Sequence, residues 1–506
     1  MYPSAQTHHG SHRAKDDAEL LRELGYQPVL TRRMNGFGNF AISFSVISIL
    51  SGCMTLYGFG MNTGGPAVIM WGWLGVGLMI LCVGAALAEV TSAYPTSGAL
   101  YFMAHRLGGP RWGWYTGWLN LLGLLGAIAG IDYGAAQFAG ALFNLQWGFE
   151  PTPESIMVVY VCILVLHAVL NLFGVRIVSL LNSVSVWWHI GGVLLIGGAL
   201  WVVPAHHQSP EWVFTTFVNN SGWHSPLYVS ALGLLLTQYT INGYDASAHL
   251  SEETSQAQIS ASRGIVRSIF WSWVIGFVLL AGLTFAIQDY AGTLHSATGV
   301  PPAQIFLDSL GMQATKALLF VVVVAQLFCG NAQTAAASRM IFAFSRDGAL
   351  PGSASWRRVS PQTGSPTRAV WLAVIVAGVL ALPSLYSPTA YGAVTAISVV
   401  AMTPAYVIPV FLRLRAGSAF QAGPWNLGRW GRPIGWVAVV WVLVVTVLFC
   451  LPQSSPITVN SMNYAVLALL AVLVLARVWW QVAGRRYEVP TGGSTKEMAD
   501  FERGVV

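Results

Sequence analysis

Ionisable side chains stand singly inside long apolar runs: Asp132 in Gly130-Ile131-Asp132-Tyr133, His167, His189 in Trp187-Trp188-His189-Ile190, and Asp245 with His249 four residues on. Charge at mid-bilayer depth is costly, so each is a functional candidate. The chemistry open to them is reversible: a carboxylate holds an amine or a proton, and imidazole titrates near neutral pH. Asp132 either faces a cationic substrate or hydrogen-bonds to neighbouring helices. Asp245 and His249 share a helix face and either gate a path, exchange a proton or cap a half-helix. His167 reads as structural, and Glu89 as one half of an ion pair with an arginine. Gln326, Asn331 and Gln333 either line a path or bond adjacent helices. Covalent and metal chemistry have no matching pattern: CxxC, HExxH, GxxxxGK[ST] and Cys/His clusters of ligand spacing are all missing. No cofactor and no metal is expected.

A second kind of candidate is backbone rather than side chain. Ser48-Ile49-Leu50-Ser51-Gly52-Cys53-Met54-Thr55-Leu56-Tyr57-Gly58 and Gln238-Tyr239-Thr240-Ile241-Asn242-Gly243-Tyr244-Asp245 each put small or polar residues and a glycine in mid-run. Unwound backbone at that depth must be buried in protein or line a cavity. Paired interruptions of this kind point to a transporter's binding site. The alternative is that the glycines only let helices pack closely.

The elements that must carry these groups are membrane helices. Of 506 residues 55% are apolar and only 9% charged, against roughly 25% charged in soluble domains, and mean hydropathy is +0.60. Runs of about 20 apolar residues suit helices, not the ten-residue alternation of a barrel. Twelve such runs are expected, spans 1 to 12, near 37–59, 66–88, 112–141, 154–174, 183–203, 226–250, 268–288, 315–343, 367–385, 390–412, 433–452 and 462–481. With the N-terminus cytoplasmic, all of the 25 Lys and Arg except Lys316 fall on one side, as the positive-inside rule requires. The net charge of +6 therefore reads as orientation, not nucleic-acid binding. All five cysteines lie in apolar stretches, so disulfides are not expected. Residues 1–35 are read as a cytoplasmic tail, disordered at first, with Asp16 to Leu24 at helical spacing suited to a membrane surface; no cleavable signal is visible. The permease domain is then 36–483 and a polar cytoplasmic tail 484–506.

Four blocks carry a resemblance: Phe40 to Gly52, Ala88-Glu89-Val90-Thr91-Ser92-Ala93-Tyr94-Pro95-Thr96-Ser97-Gly98, Gln238 to Thr254, and Ser338-Arg339-Met340-Ile341-Phe342-Ala343-Phe344-Ser345-Arg346-Asp347-Gly348-Ala349-Leu350-Pro351. Their order and spacing resemble the amino acid–polyamine–organocation superfamily, in its amino acid/choline branch that includes GABA permeases. The resemblance implies an all-α integral membrane fold with a LeuT-type inverted repeat of spans 1–5 and 6–10, spans 1 and 6 broken, and spans 11 and 12 peripheral. It implies that backbone N–H groups of Ser51, Gly52, Cys53 and Thr55 meet a substrate carboxylate, the favoured partner of a half-helix N-terminus. Carbonyls of Tyr239, Thr240 and Asn242 would meet the amine, with the Tyr239 ring covering the site. Ser51 departs from the family's usual first glycine. His189 falls where some members place a lysine that stands in for a sodium ion, so a proton could couple there.

The expected function is secondary active transport of an amino acid or related small amine such as GABA, driven by protons or running by exchange, in a plasma membrane with both termini cytoplasmic. The expected partners are that substrate, the proton and the bilayer, with no nucleic acid. A choline or polyamine carrier of the same fold and a nutrient sensor without transport are the alternatives. A membrane enzyme would need clustered nucleophiles or ligands, and none is visible.

Overall fold

The computed structural model describes residues 16–28, 30, 32–173, 175–296, 298–386, 390–458 and 461–489; the stretch expected to be disordered and the end of the C-terminal tail lie outside these. Among the described residues eleven helices are long and apolar enough to cross a bilayer. The sixth run makes the twelfth span in pieces, Pro226–Gly233, Leu235–Thr240 and Ala246–His249. Span 1 is Gly36–Ile47 and Ile49–Thr55. Spans 2 to 5 are Gly65–Ala93, Pro110–Trp147, Pro153–Leu172 and Val175–Val202. Spans 7 to 12 are Ala257–Phe285, Pro301–Arg346, Thr367–Ala381, Ala390–Ala416, Gly431–Cys450 and Ala465–Ala483.

Local chemistry sets the ends. Proline occupies the first turn of spans 2, 3, 4 and 8, where its missing N–H costs nothing. The Asn35 side chain accepts the Gly38 N–H at 2.8 Å and caps span 1. Several helices outrun their apolar stretch. Span 8, expected at 315–343, starts at Pro301 and turns at Gly311, whose φ of 77° suits glycine. Hydropathy marks only the portion at bilayer depth, whereas a helix continues until a cap or breaker stops it.

The packing has a two-fold pattern. Spans 2 and 7 pack together, as do 3 and 8, 4 and 9, and the halves of 1 and 6. Span 5 lies against 8 and 1, and its counterpart span 10 lies against 3 and 6. Contacts of 5 with 7 are matched by those of 10 with 2, so exchanging each span with the one five places on returns most of the pairings, although span 1 also packs on span 8 with no comparable contact of 6 with 3 among the described residues. That is the five-plus-five repeat. Span 3 is buried throughout its apolar stretch, whereas span 12 is mostly exposed, at the periphery.

The arginine-rich face is closed by buried ion pairs. Arg339 Nε meets Glu253 Oε1 at 3.0 Å and Arg346 Nη2 meets Glu252 Oε1 at 3.2 Å. Glu89 pairs with Arg413 at 2.7 Å, an arginine of span 10. Tyr26 and Tyr101 both donate to Asp347 Oδ2 at 2.8 Å. The helix Asp17–Glu23 docks here: Leu20, Leu21 and Leu24 are buried, and the Asp17 carboxylate caps span 7 through the N–H groups of Gln256 and Ala257. Its apolar side thus meets protein, not a membrane surface, and it is held there because the start of span 7 presents unpaired N–H donors for Asp17 to satisfy.

Candidate functional site

Span 1 breaks at Ser48, which adopts a left-handed conformation (φ 36°, ψ 82°). Such a conformation disfavours side chains by roughly 1–2 kcal/mol, and here a side-chain bond accompanies it. Ser48 Oγ lies 2.7 Å from His189 Nε2, while His189 Nδ1 lies 2.8 Å from the Ser185 carbonyl. Since a carbonyl can only accept, Nδ1 carries a hydrogen, and Nε2 either accepts from Ser48 or, when protonated, donates to it. The break comes one turn before the glycine. Consequently the N–H groups of Ser51 and Gly52 donate to the Ser48 carbonyl, at 2.8 and 3.0 Å, in the first turn of the second half-helix.

Span 6 breaks over Ile241–Asp245, around Gly243 at φ 80°. In a continuing helix the Gly243 N–H would go to the Tyr239 carbonyl; instead it donates to Tyr406 Oη at 3.0 Å. The Tyr239 and Thr240 carbonyls thereby end a half-helix, where partial negative charge gathers. Tyr406 Oη also lies 2.9 Å from Asn242 Oδ1 and 3.0 Å from Asp245 Oδ1. Asp245 Oδ2 accepts from Asn120 Nδ2 at 3.0 Å and faces His249 Nε2 at 3.1 Å, with His249 Nδ1 3.1 Å from the Ser97 carbonyl. Ser43 and Asn39 of span 1 stitch this second half to their own: Ser43 Oγ donates to the Tyr244 carbonyl at 2.7 Å, and Asn39 Nδ2 to the Ser247 carbonyl at 2.9 Å.

The two broken spans touch beside their breaks. A Cβ built on Gly52 would lie 2.7 Å from Thr240 Cα and 2.6 Å from its Oγ1. Beside this contact is a small cavity, lined by Val46, Ile47, Ser51 and Gly52 of span 1, and by Tyr239, Thr240, Asn242 and Gly243 of span 6. Ala127 and Ile131 of span 3, Cys329 and Gln333 of span 8, and Ser398 of span 10 complete it. Tyr239 Oη and Gln333 Oε1 are buried there without a partner. The arrangement places a helix start and a helix end on one small cavity, which suits a molecule with a negative and a positive group.

The expected residues divide accordingly. Ser51, Gly52, Tyr239, Thr240 and Asn242 line the cavity. Cys53 lies against Thr240 behind it, and Thr55 Oγ1 is 3.4 Å from Gln326 Nε2. Asp132 also stands behind the wall, its Oδ2 3.0 Å from His167 Nδ1. His189 reaches the span 1 break, and Asp245 lies beyond Gly243 in the Tyr406 network. Sequence reasoning missed Ser48, because a left-handed position is read from glycine. It also missed Tyr406, whose only signal was a hydroxyl in an apolar run, and the His167 partner of Asp132, although both were flagged as charge at membrane depth.

Residues 35–474 match the family described as Amino acid permease. The chain is similar to Amino-acid permease BAT1 of Arabidopsis thaliana, 36% identical over 92% of this chain and 94% of the relative. The Amino-acid permease BAT1 homolog of Oryza sativa subsp. japonica is 37% identical over the same shares. The GABA-specific permease of Saccharomyces cerevisiae is 29% identical over 93% of this chain and 85% of its own length.

Proposed function

Because this chain belongs to the amino acid permease family, a family of multi-pass membrane transporters, we propose that it carries a zwitterionic amino acid or a close analogue such as GABA across the plasma membrane, by proton symport or by exchange. The observation that carries this reading is the meeting, on one cavity, of the first turn of the second half of span 1, at Ser51 and Gly52, with the end of a half-helix of span 6, at Thr240. The carboxylate sits toward the start of the second half of span 1, near Ser51 and Gly52, and the ammonium toward the Tyr239, Thr240 and Asn242 carbonyls. Tyr239 covers the substrate, and Cys53 and Thr55 support the wall from behind. A choline cage would need several aromatic faces on the cavity. Among the described residues only Tyr239 brings an aromatic ring to it; Tyr244 is packed on Tyr406 with ring centroids 4.6 Å apart. That favours an amino acid over choline or a polyamine.

For coupling, the supporting contact is His189 on Ser48, since a proton gained or lost on that imidazole changes the bond held at the span 1 break. The arginine-rich face is the cytoplasmic one in this reading, as the charge asymmetry calls for, with the Tyr406–Asp245–His249 network as the gate between site and cytoplasm. Proteoliposomes loaded and challenged with labelled GABA, alanine, choline and putrescine test the proposal. Accumulation of an amino acid that grows as external pH falls from about 8 to 6, the range in which histidine titrates, is expected. Transport of choline alone, or sodium-dependent uptake indifferent to pH, would overturn it.

A further inference from the structure

Two buried carboxylate–imidazole pairs lie in the bundle, and they differ in one respect. Around Asp245 and His249 every side-chain atom of the pair has a partner: Tyr406 and Asn120 serve the carboxylate, and the Ser97 carbonyl serves the ring. Both nitrogens of His249 face acceptors, so that pair is a completed structural latch. In the second pair His167 Nδ1 lies 3.0 Å from Asp132 Oδ2, while Asp132 Oδ1 and His167 Nε2 have no partner among the described residues although both side chains are wholly buried. Buried polar atoms nearly always find partners. A free carboxylate oxygen and a free ring nitrogen on one buried pair leave room for a proton.

The surroundings favour that use. Ile131 and Cys329, next in sequence to Asp132 and to Gly330, line the substrate cavity, so the pair lies directly behind its wall. Gly330 admits the pair, since a Cβ there would overlap Asp132 Oδ1 and crowd the His167 ring. On the other side, toward the arginine-rich end of span 4, Asn171 Nδ2 donates to the His167 carbonyl and to Asn331 Oδ1, both at 2.9 Å. Asn171 Oδ1 and Asn331 Nδ2 are themselves unpaired, so polar atoms continue from the pair along spans 4 and 8. The titratable groups facing Asp132 are Tyr160 of span 4, Tyr239 of span 6 and Cys329 of span 8, with Tyr133 adjacent on span 3; all are uncharged in their ordinary protonated forms. Span 9 contributes the Ala377 carbonyl, which accepts the Tyr160 hydroxyl.

We propose that Asp132 and His167 form a proton-binding site of the transport cycle, separate from His189, in which His167 Nε2 takes up and returns a proton while Asp132 holds the Nδ1 hydrogen. The proposal rests on the reading that transport is proton-driven. With the proton bound, the pair is imidazolium against carboxylate and carries no net charge; without it, one negative charge remains. Two states that differ by a unit charge are not equally stable in a site sealed in the bundle and in one open to water. Proton occupancy therefore biases the conformational equilibrium, which is the condition for it to drive movement.

The test compares wild type, Asp132→Asn, His167→Gln and His189→Ala in proteoliposomes, with whichever of GABA and alanine the wild type accumulates more. Exchange of internal for external substrate at equal pH reports folding and the site; accumulation driven by an inward proton gradient reports coupling. The pair's role predicts that, under a gradient of about one pH unit, Asp132→Asn and His167→Gln each lose about tenfold in gradient-driven accumulation, the ratio one coupled proton sustains per pH unit, while exchange stays within about threefold of wild type. It predicts the same loss with His189 intact. Wild-type accumulation in both variants would overturn it, as would equal loss of exchange and accumulation. If the wild type itself ignores the gradient, the proton-driven reading falls and this one with it; if the wild type is driven and only His189→Ala is impaired, this one alone falls.

Discussion

Gly52 has no side chain because Thr240 occupies the space that one would need. Overpacking of this kind costs about 1–3 kcal/mol, and here the displaced atoms include backbone of the span 6 break. Gly52→Ala should therefore cut exchange strongly and Gly52→Val should abolish it, with both variants still inserted in the membrane, as assayed by surface labelling and counterflow. Normal counterflow in Gly52→Val would place the substrate elsewhere. The glycine was legible in the sequence as an interruption, yet the interruption itself is at Ser48. A serine in the left-handed region is recognisable only from what it bonds, and its partner His189 is 141 residues away. His167 shows the same gap. Its cost at membrane depth was visible from sequence, but its role turns on Asp132, which another span supplies.

At the scale of elements, spans 1 and 6 are each interrupted, and the first half of 1 is hydrogen-bonded to the second half of 6 through Ser43, Asn39 and Ser247. The arginine-rich ends of these halves are locked by the Asp347 cluster, outside the spans. Burial raises the Asp347 carboxyl from its ordinary 3.8 to about 6, against the pull of Arg346 and of the Tyr26 and Tyr101 hydroxyls. A carboxyl raised by folding stabilises the closed arrangement fully below its unfolded value and loses that contribution as pH rises through about 6. Amide exchange in the docked helix Asp17–Glu23, corrected for intrinsic rate, should thus slow by up to about tenfold between pH 7 and pH 5. Burial also lowers His105 to about 4, so its protonation on acidification opposes the folded packing in general. The informative quantity is therefore wild type minus Asp347→Asn. No difference in pH response between the two would remove Asp347 as the cause.

For the whole molecule, charge asymmetry and two-fold packing make separate demands. Among the described residues the asymmetry leaves Lys316 as the lone lysine or arginine on the face opposite the arginines. With the arginine-rich face inside, a membrane-impermeant amine reagent should modify Lys316 in intact cells, and Lys316→Arg should abolish the labelling. Labelling that requires cell lysis would invert the topology. The number of spans and the two weak points were legible in the chain, because apolar length and glycine placement are local properties that the bilayer reads residue by residue. The five-plus-five repeat was inferred from resemblance alone, and here it emerges as a largely symmetric packing map. Which polar groups meet inside that packing was beyond the sequence: Asp132 with His167 across spans 3 and 4, Ser48 with His189 across 1 and 5, and Tyr406 with the span 6 break. Hydropathy assigns each residue a depth but not a direction around its helix axis. Only the close packing of spans distant in sequence turns two buried polar groups toward each other.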